Sequence, residues 1–118
     1  AVVSSLAGYR GLPTSAAYGA SKAALINMCE ALRPESDAMG IKLQVITPGF
    51  VETPLTGKND FEMPFLVTVD EATDQIIRGL ASDRFEVSFP RSFALIMKAL
   101  RILPDRLFFV VTRRMIKP

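Results

Sequence analysis

Tyr18 and Lys22 stand four residues apart in the stretch Tyr18-Gly19-Ala20-Ser21-Lys22, at the start of a segment of helical composition. On an α-helix that spacing puts a phenol and an ammonium on one face. A phenol is a poor proton donor or acceptor at neutral pH, but a cation within a few ångströms favours the phenolate. The pair therefore suits general acid/base work, with Tyr18 moving the proton and Lys22 tuning it. Ser5, thirteen positions before Tyr18, falls at the carboxyl end of a first short strand. A hydroxyl there can hydrogen-bond a carbonyl oxygen that is gaining or losing alkoxide character. Binding sites of open α/β sheets lie at that end of the strands.

The elements that must hold these groups are readable from the pattern. Ala1-Val2-Val3 is apolar and β-branched and stops at Ser4-Ser5, as a buried strand running into a loop would. Ala16 to about Met39 is rich in Ala and Leu, with small residues around more than one side, which predicts a helix packed on two sides; Pro34 should interrupt it and Gly40 should end it. Ile41 to Thr47 reads as a second strand closed by Pro48-Gly49, followed by a loop of roughly 18 residues, a length that is usually functional. Asp70 to Ala81 forms a helix with Ala72, Ile76, Ile77 and Leu80 on its apolar face and Thr68 or Asp70 as N-cap. Phe85 to Phe89 alternates as a third strand and ends at Pro90. Two helical stretches, Arg91 to Leu103 and Asp105 to Ile116, follow around Pro104.

Strand, helix, strand, helix, strand predicts an α/β fold: part of a doubly wound, Rossmann-like parallel sheet of three strands with crossover helices and a helical carboxyl-terminal tail. Residues 1–90 form the sheet-bearing part and 91–118 the tail. Right-handed crossovers running in one direction should place the helices of residues 16–39 and 70–81 on the same face.

Composition narrows the chemistry. The 118 residues suffice for one domain, and 49% hydrophobic with 22% charged residues is a globular balance. With no histidine and one cysteine, Cys29, every His-based triad and metal site is excluded, as is an intrachain disulfide; no metal is expected. Cys29, among Asn27, Met28 and Leu32, reads as a packed thiol. Residues 1–90 carry 7 basic and 11 acidic side chains and residues 91–118 carry 7 and 1, so the basicity is terminal. No apolar run in the tail exceeds five residues, far from the roughly 20 that span a bilayer. The chain opens on Ala1-Val2-Val3 with no initiator methionine and no basic leader, which suggests a fragment of a cytoplasmic protein.

Ser4-Ser5 with Ala7-Gly8, then Tyr18 and Lys22, then Pro48-Gly49 with Thr53, in this order and at these separations, resemble the carboxyl-terminal half of a classical short-chain dehydrogenase/reductase. The resemblance covers the whole chain, and the stretch from Thr53 to Phe65 with Phe89-Pro90-Arg91 is similar to a bacterial subgroup. It implies an oxidoreductase that transfers hydride between NAD or NADP and a carbonyl or secondary alcohol. Ser5 would polarise the carbonyl, Tyr18 would exchange the proton, and Lys22 would also bond the nicotinamide ribose. Pro48 and Gly49 would shape the turn beside the nicotinamide, with the Val51 backbone and the Thr53 hydroxyl on its carboxamide. The family's glycine-rich fingerprint for the pyrophosphate is absent, so the chain alone is expected to be inactive and to bind dinucleotide weakly or not at all. A non-catalytic, cofactor-sensing or interaction scaffold of the same fold is the alternative.

The apolar loop residues Phe50, Phe61, Met63, Phe65 and Leu66 read either as a substrate lid or as packing onto the core. The basic tail admits three roles: closing over the cleft, packing in an oligomer, or lying on an anionic membrane surface with Arg113, Arg114 and Lys117 toward phosphates. Packing ranks first because a free amphipathic helix aggregates. Family members are generally oligomers, so a homo-oligomer is expected. Nucleic acid is not a partner, since no stacking aromatics interleave the basic residues.

Overall fold

The computed structural model describes residues 1–52 and 65–116. Its elements run β1 (Val2–Val3), a 3-10 turn (Leu6–Gly8), α1 (Ala16–Ala38), β2 (Val45–Pro48), α2 (Val69–Ala81), β3 (Glu86–Phe89), α3 (Arg91–Ile102) and α4 (Asp105–Arg113). The three strands form one parallel sheet in the order β1-β2-β3, with Val2 opposite Val45 and Ile46 opposite Val87.

The alternating side chains of β2 divide the core. Val45 faces Ile26 and Cys29 of α1 and Ala94 and Met97 of α3, with Leu6 and Tyr9 completing that cluster. Ile46 faces the other way and packs with Val87, Phe89 and Ala72 of α2. The two crossover helices therefore lie on opposite faces, contrary to the single face expected, and the two crossovers must have opposite hands. Occupancy explains it. Beside α1, the first face is taken by α3, which lays Ala94 and Met97 on the core and brings Lys98 to Glu86 of β3. The apolar surface left to α2 is the one presented by Ile46, Val87 and Phe89.

Two boundaries and one helix face also differ from expectation. α1 runs through Pro34, which is exposed; the hydrogen bond that proline cannot donate belongs to a carbonyl water can reach, and Arg33 and Asp37 pair across the site at 2.9 Å. β2 begins only at Val45, because Gly40, with φ of +73°, turns the chain and the Ile41 amide still bonds the Ser36 carbonyl. On α2, Ala72 is buried and Ile76 half-buried, but Ile77 and Leu80 face outward. The N-cap of α2 is Thr68, whose hydroxyl accepts from the Glu71 amide at 3.1 Å. Gln44, buried beside Ile46, donates to the Gly79 and Arg84 carbonyls at 2.8 Å each and so closes the other end of that helix.

One side chain fastens the corner between α3 and α4. Arg10 Nη1 donates to the carbonyls of Leu100, Arg101 and Leu103 at 3.2, 3.0 and 2.9 Å, its Nη2 meets Asp105 Oδ1 at 2.7 Å, and its guanidinium lies 4.1 Å from the centre of the Phe108 ring. It thus answers the free carbonyls at the end of α3 and the carboxylate at the start of α4 together. Met97, at 1% exposure, is the largest α3 side chain in the core. Met97→Ala is expected to lower stability by about 2–5 kcal/mol, read from urea unfolding, because the cavity lies between two helices and a sheet that cannot all close upon it.

Candidate active site

Ser4 and Ser5 leave β1 where the sheet ends, and both are buried. Ser5 is the N-cap of the 3-10 turn, accepting from the Ala7 amide at 3.1 Å; its own hydroxyl reaches the Pro48 carbonyl at a long 3.5 Å. That proton is held weakly and remains available to a stronger acceptor. Ser4 donates to the Lys22 carbonyl at 2.7 Å, which ties the strand end to the first turns of α1. Gly8 makes the same approach sterically. A Cβ there would stand 2.8 Å from the Lys22 carbonyl carbon and 2.9 Å from the Ala23 nitrogen, so only glycine fits.

This contact carries the tyrosine–lysine pair. α1 starts at Ala16, and Lys22 Nζ sits 5.5 Å from the centre of the Tyr18 ring. Tyr18 is 53% exposed, open to a reactant. The structure thus brings Tyr18 and Lys22 onto one face and sets the Ser5 turn against the same helix, while no hydrogen bond joins Ser5 to Tyr18 directly.

The chain's other tyrosine, which the sequence reading passed over, shows the opposite environment. Tyr9 is buried and shares a hydrogen bond of 3.1 Å with the Thr47 hydroxyl. Burial pushes its phenol far above the ordinary range, with Glu86 adding to the shift and Thr47 opposing it. It stays protonated and serves as a strut. Cys29 is likewise buried, its thiol pushed up by desolvation, which makes it the packed residue its neighbours suggested.

Pro48 ends β2, and its carbonyl is the one that Ser5 reaches. Gly49 follows because a Cβ would fall 2.8 Å from the Phe93 ring and 3.2 Å from Pro90. The Phe93 ring of α3 therefore packs directly against this glycine. Val51 forms a parallel bridge to Val67, but the two hydrogen bonds of that bridge run through its neighbours, Phe50 O with Val67 N and Glu52 N with Val67 O. The N–H and C=O of Val51 point away from Val67 and meet no partner among the described residues. Thr53 lies outside the described residues, as do Phe61 and Met63. Of the apolar loop, Phe50 and Phe65 stack on Phe93 at 5.8 and 5.7 Å between ring centres, and Leu66 is exposed.

A hollow of about 210 Å³ opens between α2 and the Phe89-Pro90-Arg91 corner, but its lining includes none of Ser5, Tyr18 or Lys22, and Glu71 and Asp74 make it a poor seat for phosphate. The described residues contain no cluster of His, Cys, Asp and Glu able to hold a metal. No described helix is long and apolar enough to cross a membrane.

Beneath the site, Glu86 stands with Lys98 Nζ 2.8 Å from its Oε1, at an angle poor for a hydrogen bond. Burial pushes the Glu86 carboxyl up, yet Lys98, with Tyr9 and Ser88, outweighs that and leaves it below its ordinary value. The folded state then binds this proton less readily than the unfolded chain does. The contribution of Glu86 is complete above the ordinary carboxylate range and is lost as pH falls through its lowered value. Thermal unfolding followed from neutral pH into the acid range should accordingly show a falling midpoint, and Glu86→Gln should flatten that dependence while lowering the neutral-pH midpoint.

Residues 1–63 match the family model for short chain dehydrogenase. An uncharacterized oxidoreductase of Myxococcus xanthus is 42% identical over 113 residues, 96% of this chain and 45% of the relative. Human estradiol 17-beta-dehydrogenase 11 is 27% identical over 115 residues, 95% of this chain and 38% of the relative. A solved short chain dehydrogenase from Burkholderia cenocepacia, in complex with NADP, superposes with a TM-score of 0.75 at 28% identity, covering 98% of this chain and 46% of that one. A short-chain dehydrogenase from Sphingobium yanoikuyae, in complex with NADPH, shares the fold with a TM-score of 0.66 at 21% identity, covering 96% of this chain and 41% of that one. The chain thus spans less than half the length of these relatives.

Proposed function

Because the chain belongs to the short chain dehydrogenase family, we propose that it carries the proton-transfer half of a nicotinamide-dependent oxidoreductase acting on a carbonyl or secondary alcohol. The observation that carries this reading is the exposed Tyr18 ring with the Lys22 ammonium 5.5 Å from its centre, on a helix start fastened to the strand end that bears Ser5.

In the proposed reaction the Ser5 hydroxyl donates to the substrate oxygen, for which it would exchange its long contact to the Pro48 carbonyl. Tyr18 gives its proton to that oxygen during reduction and takes one from the alcohol during oxidation. The Lys22 ammonium stabilises the phenolate that appears in between. A bound NAD or NADP supplies or accepts the hydride. The outward N–H and C=O of Val51 suit a carboxamide, which offers the complementary acceptor and donor. Thr53 is proposed for the same group, Pro48 and Gly49 for the turn beside it, and Tyr18 and Lys22 for the ribose. No glycine-rich strand-to-helix turn is present to hold a pyrophosphate.

Two measurements test this reading. In the whole protein, Tyr18→Phe should lower turnover by roughly 10²- to 10⁴-fold with little change in dinucleotide affinity, whereas Lys22→Ala should harm both; undiminished turnover in Tyr18→Phe would remove the assignment. Calorimetric titration of the 118-residue chain with NAD and NADP should show weak or no binding, and tight binding would mean that affinity does not depend on the pyrophosphate site.

We further propose that the enzyme is a cytoplasmic homo-oligomer associating through α1, whose Met28 and Leu32 are exposed one turn apart. Light scattering should give a mass that Met28→Asp reduces toward the monomer.

A further inference from the structure

α4 spends only a narrow side on the rest of the molecule. Phe108 and Thr112 are buried and Asp105 is held by Arg10, while Leu107, Phe109, Val110 and Val111 stay exposed, as do Met115 and Ile116 beyond its end. At about 100° per residue, Arg106 and Arg113 lie close together on the outward surface, Val110 comes next, and Arg114 adjoins Leu107 and Val111, so cations and apolar side chains share that surface. None of these arginines has a carboxylate against it among the described residues. α3 adds an outward row, Leu95, Ala99 and Ile102, the last 84% exposed. The sequence alone ranks packing first for this tail, but the structure packs only one side of it.

Charge identifies what suits the other side. The tail carries 7 basic residues and 1 acidic one, and that one, Asp105, is already paired with Arg10 at 2.7 Å. A second copy seated on this face about a two-fold axis would set Arg106, Arg113 and Arg114 against their own counterparts with no free carboxylate on the helix to answer them. A surface of phosphate-bearing headgroups over an apolar layer accepts both halves of the pattern. α4, nine residues and about 14 Å long, is far too short to cross a bilayer and fits one lying flat in the interface.

We propose that the outward face of α4 docks on an anionic phospholipid surface. Leu107 and Val111 enter the acyl boundary and Arg106, Arg113 and Arg114 meet headgroup phosphates. The consequence is an enzyme held peripherally at a membrane.

Co-sedimentation of the 118-residue chain with two vesicle preparations tests this, one of phosphatidylcholine alone and one of phosphatidylcholine mixed with phosphatidylglycerol. Sedimentation with the mixed vesicles only, weakening as salt is raised, is expected. Replacing Arg106, Arg113 and Arg114 together by Gln should reduce the affinity on the order of 100-fold, at about fivefold per charge. Leu107→Asp should abolish binding, and Ile77→Asp on the exposed side of α2 should leave it unchanged. All substituted positions are exposed, so circular dichroism should show the parent fold in each variant. Equal sedimentation with both preparations, an arginine variant that binds like the parent, or no sedimentation at all overturns the proposal. Self-association removed by Leu107→Asp also overturns it and gives the face to a second copy. No dinucleotide or turnover enters the measurement, so its failure and that of the oxidoreductase reading are separate results.

Discussion

Gly8 comes so close to α1 that a methyl group in its place would stand 2.8 Å from the Lys22 carbonyl carbon. Backbone against backbone cannot yield as two flexible side chains can, so this contact sets the distance between the strand end and the helix. Ser4 fixes the sliding direction with its 2.7 Å bond to the Lys22 carbonyl. β1 contributes only two residues to the sheet, too little pairing to orient a long helix by itself. The placement of Ser5 and of the Tyr18–Lys22 pair therefore rests on this junction more than on the ladder. Ser5 is rigid because it caps the same turn that Gly8 ends.

Polar side chains then connect that junction to the remainder of the fold. Arg10 follows the 3-10 turn by two residues and holds the corner between α3 and α4. Phe93 of α3 receives Phe50 and Phe65 from the two ends of the loop after β2. The tail is thus coupled to both segments that border the proposed reaction, one through charge and one through ring stacking.

Much of this was legible in the residues. A helix over 16–38, the shared face of Tyr18 and Lys22, the N-cap at Thr68, the strand closed by Pro90 and the two tail helices around Pro104 all follow from periodicity and punctuation, which are local. The side of the sheet chosen by α2 was not legible. It depends on α3 having claimed the first face, and α3 lies later in the chain than α2. Pro34 misleads for a related reason: the cost of a missing hydrogen bond depends on exposure, which no local pattern states. The packing of Phe93 against Gly49 was not legible either, since the two lie forty-four residues apart in sequence. Arg10 gave no signal at all, being one cation in a loop whose partners are mostly main-chain carbonyls.

The two tyrosines show how far residue type falls short of role. Tyr9 and Tyr18 are nine positions apart, and each lies within reach of charged side chains. Tyr9 is enclosed between Thr47 and the sheet with a carboxylate as its charged neighbour, so burial and charge both oppose ionisation. Tyr18 is open to solvent, with an ammonium 5.5 Å from the centre of its ring. What supports the proposed proton transfer by Tyr18 is that its helix starts outside the core and that one turn later the same face presents Lys22, whose main chain the strand end has already fixed.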